Sequence, residues 1–312
     1  MNRLELSGPA MPPKPLFTFC HIEKCGGTTL IALLRRNLSW RHIDIIPSDK
    51  NSNLAHEADI ATAMRLNPFV CSITGHGLRP YGEYGAYTER MVWYTILREP
   101  IARMCSDYKN DCRARGFVGS LTDWAQFPST HNFMTRSLSA SGELEEAKDV
   151  LQNRFAYFGL LDEFDECLGG IRELFLSHPF ALNYSVQNRA EESSLESRRG
   201  TNFGRAITPG DLLAARDANN LDLELWKFAR ELKHSKSPAR VREGREVPVV
   251  RKNTPMQNAR LLIHGAIRNF IYKPMVGVMP GEIAALPRSH VNVKEYAAKT
   301  AGQAPMSGRK RE

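Results

Sequence analysis

Phe17-Thr-Phe-Cys-His-Ile-Glu-Lys-Cys-Gly-Gly-Thr-Thr-Leu30 is the stretch on which the reading of this chain turns. Its apolar, aromatic first half predicts a buried strand over Phe17–Ile22. Glu23-Lys24 breaks that run, and Gly26-Gly27 turn the chain. Leu30, Leu34 and Leu38 then recur one turn apart and predict a helix from Thr28 to Leu38. A strand, a short glycine loop and a helix N-terminus together hold a phosphate well. The N–H groups of the first turn point outward, and the helix dipole favours an anion there. Lys24 adds a mobile positive charge at the mouth of the loop. An ordinary strand-to-helix turn has the same outline, so the loop needs a second element to give it meaning.

Met91-Val-Trp-Tyr-Thr-Ile-Leu97 supplies one. It is dense in β-branched and aromatic residues and predicts a strand. It ends at Arg98-Glu99-Pro100, with Pro100 suited to the first position of a helix through Tyr108. Arg98 at a strand end and Ser106 two turns into the next helix can converge on one phosphate, as a guanidinium fork and a hydroxyl do. The alternative is an Arg98 that caps a helix or pairs with a surface carboxylate. A Walker nucleotide loop is excluded. Its lysine follows the glycines, whereas Lys24 precedes them, and no G-x-x-x-x-G-K-[ST] occurs in the sequence.

The order Lys24-Cys25-Gly26-Gly27-Thr28-Thr29 resembles the 5'-phosphosulfate loop of sulfotransferases. Leu97-Arg98-Glu99-Pro100, followed by an arginine and Ser106, resembles their 3'-phosphate element. The likeness extends to the family of heparan sulfate 2-O- and 6-O-sulfotransferases and their bacterial relatives. Thr74-Gly75-His76, Asn132-Phe-Met-Thr-Arg136-Ser-Leu138, Phe155-Ala-Tyr-Phe-Gly-Leu160 and Asn220-Leu-Asp-Leu-Glu-Leu-Trp226 resemble its segments in family order. Glu99 stands for the usual aspartate, Glu23 for the usual proline, and Cys25 for the usual threonine or serine.

The resemblance implies a P-loop-like sulfotransferase fold and 3'-phosphoadenosine 5'-phosphosulfate as donor. The acceptor it implies is a carbohydrate or glycolipid hydroxyl, with an acidic acceptor suited to the basic chain. Lys24 would bind the bridging or sulfate oxygen. Backbone N–H groups of Gly26, Gly27, Thr28 and Thr29, with Cys25 in the loop, would cradle the 5'-phosphate. Arg98 and Ser106 would hold the 3'-phosphate. Lysine and loop amides supply the positive field, so no metal is expected. His76 is the candidate base, with Glu23 and Glu83 in reserve. Cys25 has two readings: a small-residue swap in a loop that works through its backbone, or a thiol made acidic and oxidation-sensitive by Lys24 and the helix N-terminus. A non-catalytic nucleotide- or glycan-binding relative is the alternative function, and a nucleotide-dependent phosphotransferase a more distant one.

Composition fits this frame without selecting it. The 312 residues are 42 % hydrophobic and 24 % charged, enough for one large domain. Lysine and arginine outnumber aspartate and glutamate 42 to 34, a net charge of +8. That balance suits an anionic nucleotide or glycan, and no nucleic-acid motif accompanies it. None of the six cysteines forms C-x-x-C, and Cys20, Cys71 and Cys167 lie in apolar runs as core thiols. No run is long enough to span a membrane, and the first residues lack a signal-peptide core. The chain therefore reads as a soluble cytoplasmic protein of bacterial type, unless it is a trimmed form of a membrane-anchored enzyme.

Further strands are expected at His42–Ile46 and Phe69–Ile73, with a helix at Glu57–Leu66. The alternation predicts an α/β fold with a mostly parallel central sheet flanked by helices. Residues 1–14 read as a flexible tail, 15–280 as one domain, and 281–312 as a disordered basic tail. Gly75–Arg90 reads as a functional loop whose Tyr81, Tyr84 and Tyr87 stack on sugars or pack the loop down. Residues 113–142 read as an irregular insertion. Helices are expected near 209–219, 221–232 and 254–271, and 233–252 as a basic stretch without structure. Oligomeric state is not encoded in any motif. Lys24, His76 and Arg98 each follow a predicted strand, which places them on the carboxyl edge of the sheet, where such folds bind ligands.

Overall fold

The structure, a computed structural model, describes residues 14–49, 53–178, 180–184, 206–236, 254–272 and 274. Asn188-Arg189 and the stretches 193–205, 237–253 and 281–312 lie outside the described residues.

Five strands form one sheet: β1 (Leu16–Cys20), β2 (His42–Asp44), β3 (Ser72–Gly75), β4 (Met91–Leu97) and β5 (Phe155–Leu160). Their order is β2-β3-β1-β4-β5, and every neighbouring pair is parallel. The mostly parallel sheet expected from the sequence is thus wholly parallel. Side chains of a strand alternate between faces. Phe17 and Phe19 of β1 meet α1 (Gly27–Leu38), whose Leu30, Ile31 and Leu34 share that core cluster. Leu16 and Cys20 join the cluster on the other face, with Ile60 of α2 (Glu57–Leu66).

A run of helices follows β4: α3 (Pro100–Arg115), α4 (Leu121–Trp124), α5 (Phe133–Leu138) and α6 (Leu144–Asp149). After β5 come α7 (Phe164–Leu174), α8 (Pro209–Asp217), α9 (Asn220–Lys236) and α10 (Pro255–Ile267), which a π turn extends to Tyr272. No helix among the described residues is long and apolar enough to cross a membrane.

Three boundaries differ from expectation. β1 stops at Cys20, two residues early, and β2 stops at Asp44. β3 is Ser72–Gly75 rather than Phe69–Ile73, with Phe69 62 % exposed before it. The 113–142 stretch is not wholly irregular: it contains α4 and α5, each too short to show a period. Side-chain caps stop and start them instead. Ser120 caps α4 by accepting from Asp123 N–H at 3.1 Å. α5 is capped across the fold by Asp222 of α9, which accepts from Met134 N–H (3.0 Å) and Thr135 N–H (2.7 Å). Asn132 returns the favour by accepting from Leu221 N–H at 3.0 Å. The two Asn-led segments singled out in the sequence therefore lock each other. The basic stretch from Lys233 begins helical: α9 runs to Lys236, and Lys233 pairs with Glu163.

The buried imidazole of His42 is expected to weaken the fold in acid. His42 is 1 % exposed, with Ser72 Oγ 3.0 Å from its Nδ1, and burial pushes its pKa down to about 3 despite Asp44 nearby. Unfolding returns it to the ordinary value near ~6.5, so the unfolded state binds more protons between those limits. Stability present at neutral pH is therefore lost as pH falls from about 6.5 toward 3. Burial raises the Asp44 pKa, but Arg35 and Arg268 with the neighbouring groups outweigh it and hold the carboxyl low, so its contribution is lost only below the unfolded carboxylate value. Denaturant unfolding at pH 7 and pH 5 should differ by about 2 kcal/mol from His42 alone. A flat response, or one unchanged by His42→Gln, would contradict neutral burial.

Candidate functional site

The register of the sheet brings the three strand-end residues together. Cys20 pairs with Gly75 of β3 and with Thr95 of β4. His76 therefore emerges beside His21, and Arg98 beside the loop that follows β1. Chain leaving β1 travels toward the β2 edge, whereas chain leaving β4 travels toward the β5 edge. The carboxyl ends of β1 and β4 thus flank the crevice where such sheets take ligands.

Two left-handed residues shape the loop. Lys24 has φ 65° and Gly26 φ 80°. A lysine in that region costs about 1 kcal/mol, and glycine none. The turn leads directly into α1, whose N-cap is Gly26; no side chain caps it and no acidic residue sits in its first turn. Gly26 C=O accepts from Thr29 N–H (3.1 Å) and Leu30 N–H (3.3 Å). At Gly27 a Cβ would run into the His21 ring, so only glycine fits. Thr28 is exposed and Thr29 buried, which separates two hydroxyls that the sequence treats alike.

Arg98 donates from Nη1 to the Lys24 carbonyl at 3.0 Å. It thereby ties the end of β4 to the loop with one of its five N–H groups. The side chain of Glu99 accepts from Ile101 N–H (3.1 Å) and Ala102 N–H (2.6 Å). It performs the N-cap work that an aspartate would, so the helix start is satisfied with glutamate in that place. Ser106 is half-buried in the second turn of α3. Lys24 is half-buried, and burial lowers its ammonium pKa while Asp107, Glu23 and Asp111 oppose that shift.

His76 stands over the other side of the loop. Its ring stacks on His21, with centroids 4.1 Å apart at 29°. Its Nδ1 lies 3.5 Å from Glu23 Oε1, and its side chain is 43 % exposed. His21 is 8 % exposed and also stacks on Phe19 at 5.5 Å. Burial first, then the neighbouring His76, hold its pKa well below the ordinary histidine value. The result is a neutral, fixed ring beneath a more exposed one, with a carboxylate beside it. Glu83 lies exposed on the following loop. There Tyr84 is fully buried; its hydroxyl accepts from Arg79 N–H (2.8 Å) and donates to Arg79 C=O (2.9 Å). Tyr84 packs the loop down, whereas Tyr81 is half-buried and donates to Arg136 C=O at 3.3 Å.

The reading of Cys25 as an acidic, oxidation-sensitive thiol is overturned. Cys25 is 1 % exposed, its Sγ lies 3.6 Å from the Glu23 carbonyl, and burial pushes its pKa up to about 12. Arg103 and Arg98 pull it down by less than burial raises it. Desolvation of a thiolate outweighs the nearby positive charges. Of the six free cysteines only Cys105 is partly exposed. Brief native alkylation should label Cys105 first and leave Cys25 unmodified until unfolding, as read by peptide mass mapping. Early labelling at Cys25 would restore the rejected reading.

Arg103 is the arginine that stands between Pro100 and Ser106. It is fully buried, donates to Asp107 at 3.1 Å, and lies with its guanidinium 4.8 Å from the centre of the Phe133 ring. Its burial and its pair with Asp107 had only the Arg-x-x-x-Asp spacing as a signal, and solvent-exposed helix pairs have the same spacing. Among the described residues, no group of three or more His, Cys, Asp or Glu side chains is placed to hold a metal ion. No family model matches this chain, and no curated protein matches it.

Proposed function

We propose that this chain is a sulfotransferase that moves a sulfuryl group from 3'-phosphoadenosine 5'-phosphosulfate to a hydroxyl of a carbohydrate or glycolipid. The observation that carries the reading is the loop itself. An uncapped helix N-terminus, a left-handed lysine and an arginine bonded to the lysine's carbonyl meet at the carboxyl ends of β1 and β4. Such a constellation suits a ligand with two separate phosphate groups.

In the proposed reaction the S–O bond to the donor's bridging oxygen breaks as the acceptor oxygen bonds to sulfur. The hydroxyl proton passes to His76, and the bridging electron pair leaves with the nucleotide. Lys24 and the N–H groups of Gly26, Gly27 and Thr28 stabilise the charge that develops there, while Thr29 N–H is taken up by the Gly26 carbonyl. Arg98 and Ser106 take the 3'-phosphate. Glu23 orients His76 and steadies the imidazolium that forms, a function served by its carboxylate and not by a proline. The net charge of +8 suits an acidic acceptor. A cytoplasmic location belongs to this reading, supported by six unpaired thiols.

The test is incubation with the donor and a panel of neutral and acidic glycans and glycolipids. Release of 3',5'-phosphoadenosine should accompany the gain of one SO3 group by an acceptor in its mass spectrum. An intact donor across the panel, with the nucleotide bound, would favour the non-catalytic binding reading instead.

A further inference from the structure

α10 turns its polar side inward. His264 lies with Nε2 3.0 Å from the His42 carbonyl, Arg268 pairs with Asp44 at 2.6 Å, and Tyr272 is 3 % exposed. The outward side is apolar. At 100° per residue, Leu262, Ala266, Ala259, Ile263, Met256 and Ile267 of α10 fill one arc about 140° wide, and the exposed Phe270 follows in the π turn. Arg260 borders it, about 20° beyond Ile267, and no charged residue falls inside it. Met256, Leu262, Ile263 and Phe270 are 68, 74, 60 and 73 % exposed. A stripe of that width ordinarily faces a core. Trp40 and Phe69, their rings 5.0 Å apart, add exposed aromatic surface on and near the turn Ser39–Arg41, which packs against α10. Together these side chains present on the order of 800 Å² of apolar area, which is above the usual patch on a monomer and equals one partner's share of a standard interface.

We propose that this face is a homodimer interface, in which α10 pairs antiparallel with α10 of a second copy about a twofold axis at Ile263. Three observations favour a second copy over other occupants. An isologous contact sets a surface against itself, and an arc without charge meets no like charge there. Met256 and Phe270 lie seven residues on either side of Ile263, so each Met256 meets the partner's Phe270 while Ile263 meets its own equivalent. Ala259 and Ala266 on the arc let the two backbones approach. A lipid surface fits less well, because Arg268 is turned inward to Asp44 and Arg260 alone of the α10 arginines borders the arc where anionic headgroups would lie.

Sedimentation or light-scattering mass across micromolar concentrations tests this. The wild type should have the mass of a dimer. Ile263→Glu and, independently, Phe270→Glu should raise the dimer dissociation constant at least 100-fold, with circular dichroism unchanged and melting lowered only to the extent that the wild type's melting depends on its concentration. Ile263→Lys should also be monomeric, and an equimolar mixture with Ile263→Glu should restore the dimer, since Glu then meets Lys on the axis. A monomeric wild type, variants that stay dimeric, or a mixture that stays monomeric would overturn the proposal. So would a monomer that cosediments with phosphatidylglycerol vesicles and loses that binding in Ile263→Glu.

Discussion

Replacing Lys24 by methionine is expected to lower kcat about 10³-fold, because a preorganised charge aimed at a leaving oxygen contributes on that scale. The geometry makes Lys24 hard to substitute. Its backbone is left-handed, its carbonyl is held by Arg98 at 3.0 Å, and its ammonium is half-buried. Methionine keeps the length and apolar stem and removes the charge. Lys24→Arg should recover little, since a planar fork cannot replace a point charge in the same space. Binding of the product nucleotide should weaken far less than kcat falls, because loop amides and Arg98 still hold the phosphates. The check is steady-state kinetics with nucleotide release as the readout. A kcat within about threefold of wild type would remove Lys24 from the transition state.

The second large effect is at His76. His76→Ala should lose between about 10² and 10⁴ in kcat, the usual contribution of a positioned base. Nucleotide affinity should change little, since the ring contacts His21 and Glu23 and the phosphates are assigned to Lys24, the loop amides, Arg98 and Ser106. The acidic limb of the pH–rate profile should vanish with the imidazole. Glu23→Gln should cost about tenfold, as expected for a group that positions and steadies the base instead of taking the proton. Retained turnover in His76→Ala with intact nucleotide binding would exclude the base role and turn attention to Glu23 and Glu83.

Much of this architecture was legible because its signals are local. β4 announced itself through seven apolar and β-branched residues. α1 was marked by leucines at one-turn spacing, and their side chains are indeed buried. Placing Lys24, His76 and Arg98 at one edge needed only the alternation of strands and helices, and the register brings all three there. What escaped were contacts between distant segments. The anchoring of Arg268 and His264 on Asp44 and His42 spans more than half the chain, and no periodicity points to it. The sequence reading placed Leu261, Leu262, Ala266 and Phe270 on one side of α10; Leu261 is instead half-buried, and the other three are exposed, which no periodicity foretold. Cys25 failed for a different reason. A sequence shows the lysine and the helix N-terminus beside a thiol, and both lower its pKa. It does not show the burial that raises it by more.

The central claim is a site for a nucleotide phosphorylated at both the 3' and 5' positions, and calorimetric titration tests it most directly. 3',5'-Phosphoadenosine is titrated into wild type and Arg98→Ala, with ADP as the control ligand. The 3'-phosphate should be worth about 3 kcal/mol through charge-assisted bonds, so 3',5'-phosphoadenosine should bind about 100-fold more tightly than ADP. Arg98→Ala should erase that preference while leaving ADP binding weak. Equal affinity for both nucleotides, or no binding of either, would contradict the account.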